Sequence, residues 1–253
     1  MIKLIACYLF ILSVVASASE TIDYQTNTLL RTQNIGLYTN AVVGKSHKIW
    51  ENPSQKFLYG FVRAGVTGQT SLVVNSLMPQ LDFYPISILG FYVGKDFTHR
   101  DFNVPHFDCI NEVTCKGWMN REYVGSRMAL AFKDLYFMSD YRIIKAHGQK
   151  VDKPFAEERS SLIGHPDYDY LHRFDILTGY KLNDKYSVGY LLHHNVMRRL
   201  DNSSLMQMGF VRYQMNQWNL IFGNGTFRSR DDKTFYSSLL LLQWNGSRGL
   251  LLF

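Results

Sequence analysis

Between residues 169 and 244 side-chain character alternates with a period of two, over segments longer than most globular strands. In residues 169–182 one face carries Tyr170, His172, Phe174, Ile176, Thr178, Tyr180 and Leu182. The other carries Asp169, Leu171, Arg173, Asp175, Leu177, Gly179 and Lys181. Side chains alternate across a strand, so such a segment separates an apolar environment from a polar one. Residues 186–197 repeat the pattern, with Tyr186, Val188, Tyr190, Leu192, His194 and Val196 opposite Ser187, Gly189, Leu191, His193 and Asn195. Residues 204–214, 218–228 and 235–244 follow as further strands. Segments of this length are what a tilted strand needs to cross a bilayer.

The rest of the chain fits the same plan. Strands are expected over 57–66, 84–95, 123–133 and 135–145, with 35–43 a further candidate. Residues 71–78 read as strand or helix, ended by Pro79. Residues 20–34 are polar and turn-like. The connections alternate in length: 133–134, 183–185, 215–217 and 245–246 are short, whereas 96–119, 146–167, 198–203 and 229–234 are longer. Transmembrane barrels have short periplasmic turns and longer extracellular loops. Aromatic residues flank the short turns, as Tyr180, Tyr186, Tyr213, Trp218 and Trp244 do, and amphipathic rings favour a membrane boundary. A soluble barrel would place the Tyr, Phe and Leu face inward and the charged face in water.

At 253 residues, 46% hydrophobic and 19% charged, the chain suits one sizeable domain and is too apolar for disorder. No run reaches the roughly 20 apolar residues of a helical span. The shorter run at the start, Lys3 followed by apolar residues 4–15 and then Ala16-Ser17-Ala18, reads as a secretory signal peptide over 1–18. The domain plan is therefore a signal peptide at 1–18, a partly irregular lead-in at 19–56 and a barrel at 57–253. Export makes Cys109 and Cys115 a candidate disulfide, with a metal pair or free thiols as the alternatives. The formal charge of +6 suits contact with phosphate-bearing lipid. No nucleic-acid motif is present in the sequence.

A signal peptide, period-two strands and Phe253 after an apolar segment resemble bacterial outer-membrane β-barrel proteins. The resemblance implies an all-β, antiparallel, up-and-down transmembrane barrel in the outer membrane. It implies as partners the barrel assembly machinery, which would read the terminal aromatic, and outer-membrane lipid and lipopolysaccharide. About ten strands are expected, within a range of eight to twelve. The turn dipeptide Asn245-Gly246 leaves only a short piece before Phe253, where the usual signal is a full strand.

The polar face would supply a lumenal network of Arg127, Asp140, Arg142, Asp169, Arg173, Asp175 and His193, since buried charges are normally paired. The same residues could line a pore or a small-solute site. The long loops suit a structural, adhesion or binding and transport role, and Glu157-Glu158-Arg159 in 146–166 reads as a charged loop. Outer-membrane lipid hydrolases offer a rival expectation, with His193 or His194, Ser203 or Ser204, and Asp201 as base, nucleophile and orienter. Those families place the serine two residues after the histidine, where Asn195 and Val196 stand here. His99, Asp101, His106 and Asp108 share a loop without a metal-binding spacing, so no metal and no cofactor are expected.

Overall fold

A computed structural model describes residues 22–33, 36–103, 107–148 and 152–251. The expected signal peptide, Pro105, His106 and Phe253 lie outside those residues. Among the described residues fourteen strands run in chain order: β1 Ile22–Arg31, β2 Gly36–Glu51, β3 Tyr59–Thr70, β4 Val74–Ile86, β5 Leu89–Arg100, β6 Gly117–Phe132, β7 Leu135–His147, β8 Phe155–Glu157, β9 Leu162–Gly164, β10 Tyr168–Lys181, β11 Tyr186–Met197, β12 Asn202–Met215, β13 Trp218–Arg228 and β14 Thr234–Arg248. Twelve of them pair antiparallel with their neighbours, and β1 pairs with β14 to close the barrel. The β8–β9 hairpin forms a small separate sheet.

The all-β barrel expected from the alternation is present, at the upper end of the strand range. Two strands come from the stretch read as a lead-in. β1 is obscured because the apolar face Ile22, Tyr24 and Leu30 is interrupted by Thr26 and Thr28, opposite Gln25 and Asn27, so the stripe is short and broken. Residues 84–95 divide at a tight turn, Ser87-Ile88, between β4 and β5. β4 also continues through Pro79. Its pairing with β5 skips Met78 and Pro79 between Leu77↔Phe97 and Gln80↔Gly94, as a residue without an N–H requires.

Asn245-Gly246 is a correction of the opposite kind. β14 runs straight through it to Arg248, with a register shift where Tyr24 pairs Ser247 and Gln25 pairs Asn245. The ladder with β1 outweighs the local turn preference, and the dipeptide makes a bulge. Gly249, at φ 55°, turns the chain instead. Leu250 and Leu251 then pack against Tyr59, Phe61 and Tyr84, and the Tyr59 hydroxyl donates to the Leu250 carbonyl at 2.7 Å. This tail covers the short-turn mouth of the barrel.

Connections sort onto two rims. One holds 52–58 and the tight links 87–88, 133–134, 182–185 and 216–217. Asn183 shapes one of them, its side-chain oxygen accepting from the Lys185 and Tyr186 amides at 2.9 Å each. The opposite rim holds 32–33, 71–73, 101–103, 107–116, 152–167, 198–201 and 229–233. The outer wall is apolar: Leu81 is 60% exposed, Val93 55%, Val124 54% and Phe222 50%. A water-soluble barrel would reverse this orientation. Aromatics ring the short-turn rim, where Tyr186 stacks on Tyr213 with centroids 5.0 Å apart and Trp244 lies 5.6 Å from Tyr24.

Candidate functional site

The inward positions of β3 to β11 carry charge in three groups. Near the short-turn rim, Arg63 bridges two acids, with Nε 2.8 Å from Asp23 Oδ1 and Nη1 2.9 Å from Asp82 Oδ2. The guanidinium fills the space left by Gly44 and Gly65, where an added Cβ would lie within 2.5 Å of it. At mid-height, Arg127 Nε donates to Asp140 at 2.9 Å, and the Tyr92 hydroxyl donates to the other Asp140 oxygen at 2.6 Å. Arg142 Nε donates to the same hydroxyl at 3.0 Å and lies over the Tyr92 and Tyr123 rings. Around the wall, His193 pairs with Asp175 and Arg173 donates to Asn195 at 3.3 Å.

Like charges face one another across β7 and β10, with Arg142 opposite Arg173 and Asp140 opposite Asp175. Direct like-charge pairing is unfavourable, so each of these groups turns to a partner of another kind on a different strand. Side chains of Arg127 and Asp175 are each 33% exposed. Water reaches the middle of the lumen, which keeps the cost of these charges low.

The third group, at the long-loop rim, is dry. The β8–β9 hairpin folds into the mouth, with Phe155, Ala156 and Leu162 fully buried. Phe155 and Leu162 pack on Tyr123, Ile144, Leu171 and Met197 of the inner wall. Glu157 and Glu158 meet Arg121 there: its Nη2 lies 3.2 Å and 2.6 Å from their carboxylates, and its Nη1 lies 3.1 Å from Asp96. Arg159 returns to Asp96 at 3.0 Å, and Arg100 donates to the Ala156 carbonyl at 2.5 Å. These charged side chains are between 0% and 6% exposed except Arg159, at 18%. Burial by itself would raise the Glu158 carboxyl pKa, but Arg121, Arg100 and Arg159 hold it down at about 2.

The disulfide loop braces the outside of the hairpin. Cys109 and Cys115 are bonded to each other. Thr114 accepts from the Ala156 amide at 3.1 Å and donates its own amide to Pro154 at 2.7 Å. Val113 and Cys115 pack against Ala156 and Ile163.

The sequence-predicted residues divide accordingly. Arg127, Asp140, Arg142, Arg173, Asp175 and His193 all face the lumen in the pairs described. Asp169 does not join them: its buried carboxylate accepts backbone amides of His165, Tyr170 and Arg199 and so ties down the rim. The hydrolase candidates are split. His193 and Ser204 face inward and His194 and Ser203 outward, while Asp201 sits in an exposed turn at φ 44°. Ser204 accepts from Asn195 and His193 is engaged by Asp175. His99 is outward, against Trp118.

Sequence reasoning missed the strongest cluster, Asp96, Arg100, Arg121, Glu157 and Glu158. Glu157 and Glu158 lie in a run that looks solvated, and only the fold carries it inside. Arg63 and Asp82 were findable, being isolated charges at inward period-two positions.

No protein-family model matches the chain, and no curated protein matches it. Among solved structures it is similar to the NanC porin, at 13% identity over 87% of this chain and 98% of that one, with a TM-score of 0.47. It is also similar to the KdgM porin, solved in complex with disordered oligogalacturonate, at 12% identity over 88% and 98%, with a TM-score of 0.43. The translocator domain of the autotransporter NalP from Neisseria meningitidis aligns at 14% identity over 96% and 95%, with a TM-score of 0.34. Two of these neighbours are porins and the third is an autotransporter's translocator domain. The architecture of the present chain rests on its own strand pairing.

Proposed function

We propose that this chain is an integral outer-membrane β-barrel that acts as a gated conduit for small polar solutes, with the β8–β9 hairpin as its plug. Closure leaves no unpaired strand edge, and the apolar outer wall suits hydrocarbon. The long-loop rim is then extracellular and the short-turn rim periplasmic. Barrel assembly machinery and outer-membrane lipid are the partners this location implies.

One observation carries the gating: the hairpin is held in the mouth by a buried ion cluster above a lumen that water reaches. Buried ion pairs are weak contributors to net stability, and a switch is one of their established uses. Arg100 Nε and Nη2, moreover, make no hydrogen bond among the described residues, so the locked state leaves donors there that an opened, wetted mouth would satisfy.

Planar-bilayer conductance tests this, compared between the intact protein, a Glu157→Gln/Glu158→Gln variant and a chain with residues 155–164 replaced by a glycine-serine linker. Heat-modifiable gel mobility in detergent serves as the folding check. Brief openings in the intact barrel and a larger, steadier conductance in both variants are expected. Equal conductance in all three refutes the plug, and a chain that stays dissolved without detergent refutes the membrane barrel itself.

A further inference from the structure

The outer wall is not uniform. Across β3 to β6 the outward side chain Ala64 is small, and Pro79 interrupts the β4–β5 ladder. The result is a groove of about 710 Å³ open to the barrel's exterior, walled by Leu81, Val93, Val124 and Ile143. Its surface is mostly hydrocarbon and would accommodate an acyl chain.

At the long-loop end the groove meets one row of charge. Lys95, Glu122 and Lys145 are consecutive partners in register, and all three point outward. Lys95 Nζ lies 2.9 Å from Glu122, both side chains being more than half exposed. Lys145 Nζ lies 4.8 Å over the Tyr168 ring. Two ammoniums against one carboxylate leave the row one positive charge in excess. Charge on a lipid-facing wall is costly unless it stands at the interface or meets a counter-charge. The adjoining rows fix the depth, since Val93, Val124 and Ile143 lie on the membrane side while Asn120, His147 and Tyr168 lie toward the loops.

We infer that this groove is a binding site for one phosphorylated lipid of the outer leaflet. An acyl chain lies along the trough of Leu81, Val93 and Val124, and a lipid phosphate bridges Lys95 and Lys145. Glu122 sets the spacing of the two ammoniums and blocks a second anion. The site exists only if the outer-membrane reading holds.

Native mass spectrometry of the detergent-purified barrel tests it, with bisphosphorylated lipid A, its dephosphorylated form and phosphatidylethanolamine as the probes. The intact protein should retain one bisphosphorylated lipid A in preference to the other two. Lys95→Gln/Lys145→Gln should lower that retention about tenfold, from the loss of two cationic contacts with an anionic lipid, and leave the dephosphorylated form unaffected. Equal retention of the two lipid A forms, or equal retention by variant and parent, overturns the site. Heat-modifiable mobility of the same samples separates this outcome from failure of the barrel reading, because a folded barrel that ignores the phosphate refutes the lipid site alone.

Discussion

Arg121 is the residue on which the long-loop mouth depends. It reaches Asp96, Glu157 and Glu158 from a fully enclosed position, so replacement by alanine takes the shared cation from three buried carboxylates, leaving Asp96 to Arg159 and Glu158 to Arg100 and Arg159. Removing one partner from a buried cluster costs more than the cluster contributes, because the remaining charges lose their compensation. Arg121→Ala is expected to destabilise the folded barrel by about 3–5 kcal/mol, or to expel the hairpin and recover part of that loss by wetting the acids. Urea unfolding in lipid vesicles reads the first outcome and protease cleavage within 152–167 the second. Unchanged stability with a protected hairpin would contradict the geometry described.

The hairpin is an element with its own pH dependence. The Glu158 carboxyl stands at about 2 in the folded barrel against an ordinary 4.5, a depressed value. Its contribution is therefore complete above pH 4.5 and is lost as the pH falls toward 2, since protonation removes the charge that Arg121, Arg100 and Arg159 hold. Conductance is expected to rise across that acid window and to return on neutralisation. Glu158→Gln should flatten the response there, whereas an acid-independent conductance in the intact protein would sink the assignment. Bracing by the Cys109–Cys115 loop acts on the same element from outside, through the Thr114 amide and carbonyl.

At the scale of the whole molecule, the outward apolar band decides where the protein resides. Phe222 and Leu240 are paired on neighbouring strands in the middle of that band, and Arg228 lies at the long-loop end of β13. Arginine at Phe222 or Leu240 is expected to cost about 2–4 kcal/mol of folding free energy in vesicles, against about 0–1 kcal/mol for Thr226→Arg near the rim. Equal effects at the three positions would mean that no hydrocarbon faces this wall. The sequence by itself determined the period-two strands, their excess length, the alternation of loops between two rims and the inward charges at Arg127, Asp140, Arg142, Arg173, Asp175 and His193. Each of those signals is local, because the side-chain direction of a strand residue follows from its parity. Tertiary structure alone decided the closing strand β1, whose apolar face is interrupted by Thr26 and Thr28 and which is defined by its pairing with β14, and the bulge that overrides the turn preference of Asn245-Gly246. It also decided that Glu157 and Glu158 belong to the interior. A charge run in a loop reads as solvated until the fold brings Arg121, Arg100 and Asp96 around it, and contacts across more than thirty residues of sequence leave no periodic mark in the chain.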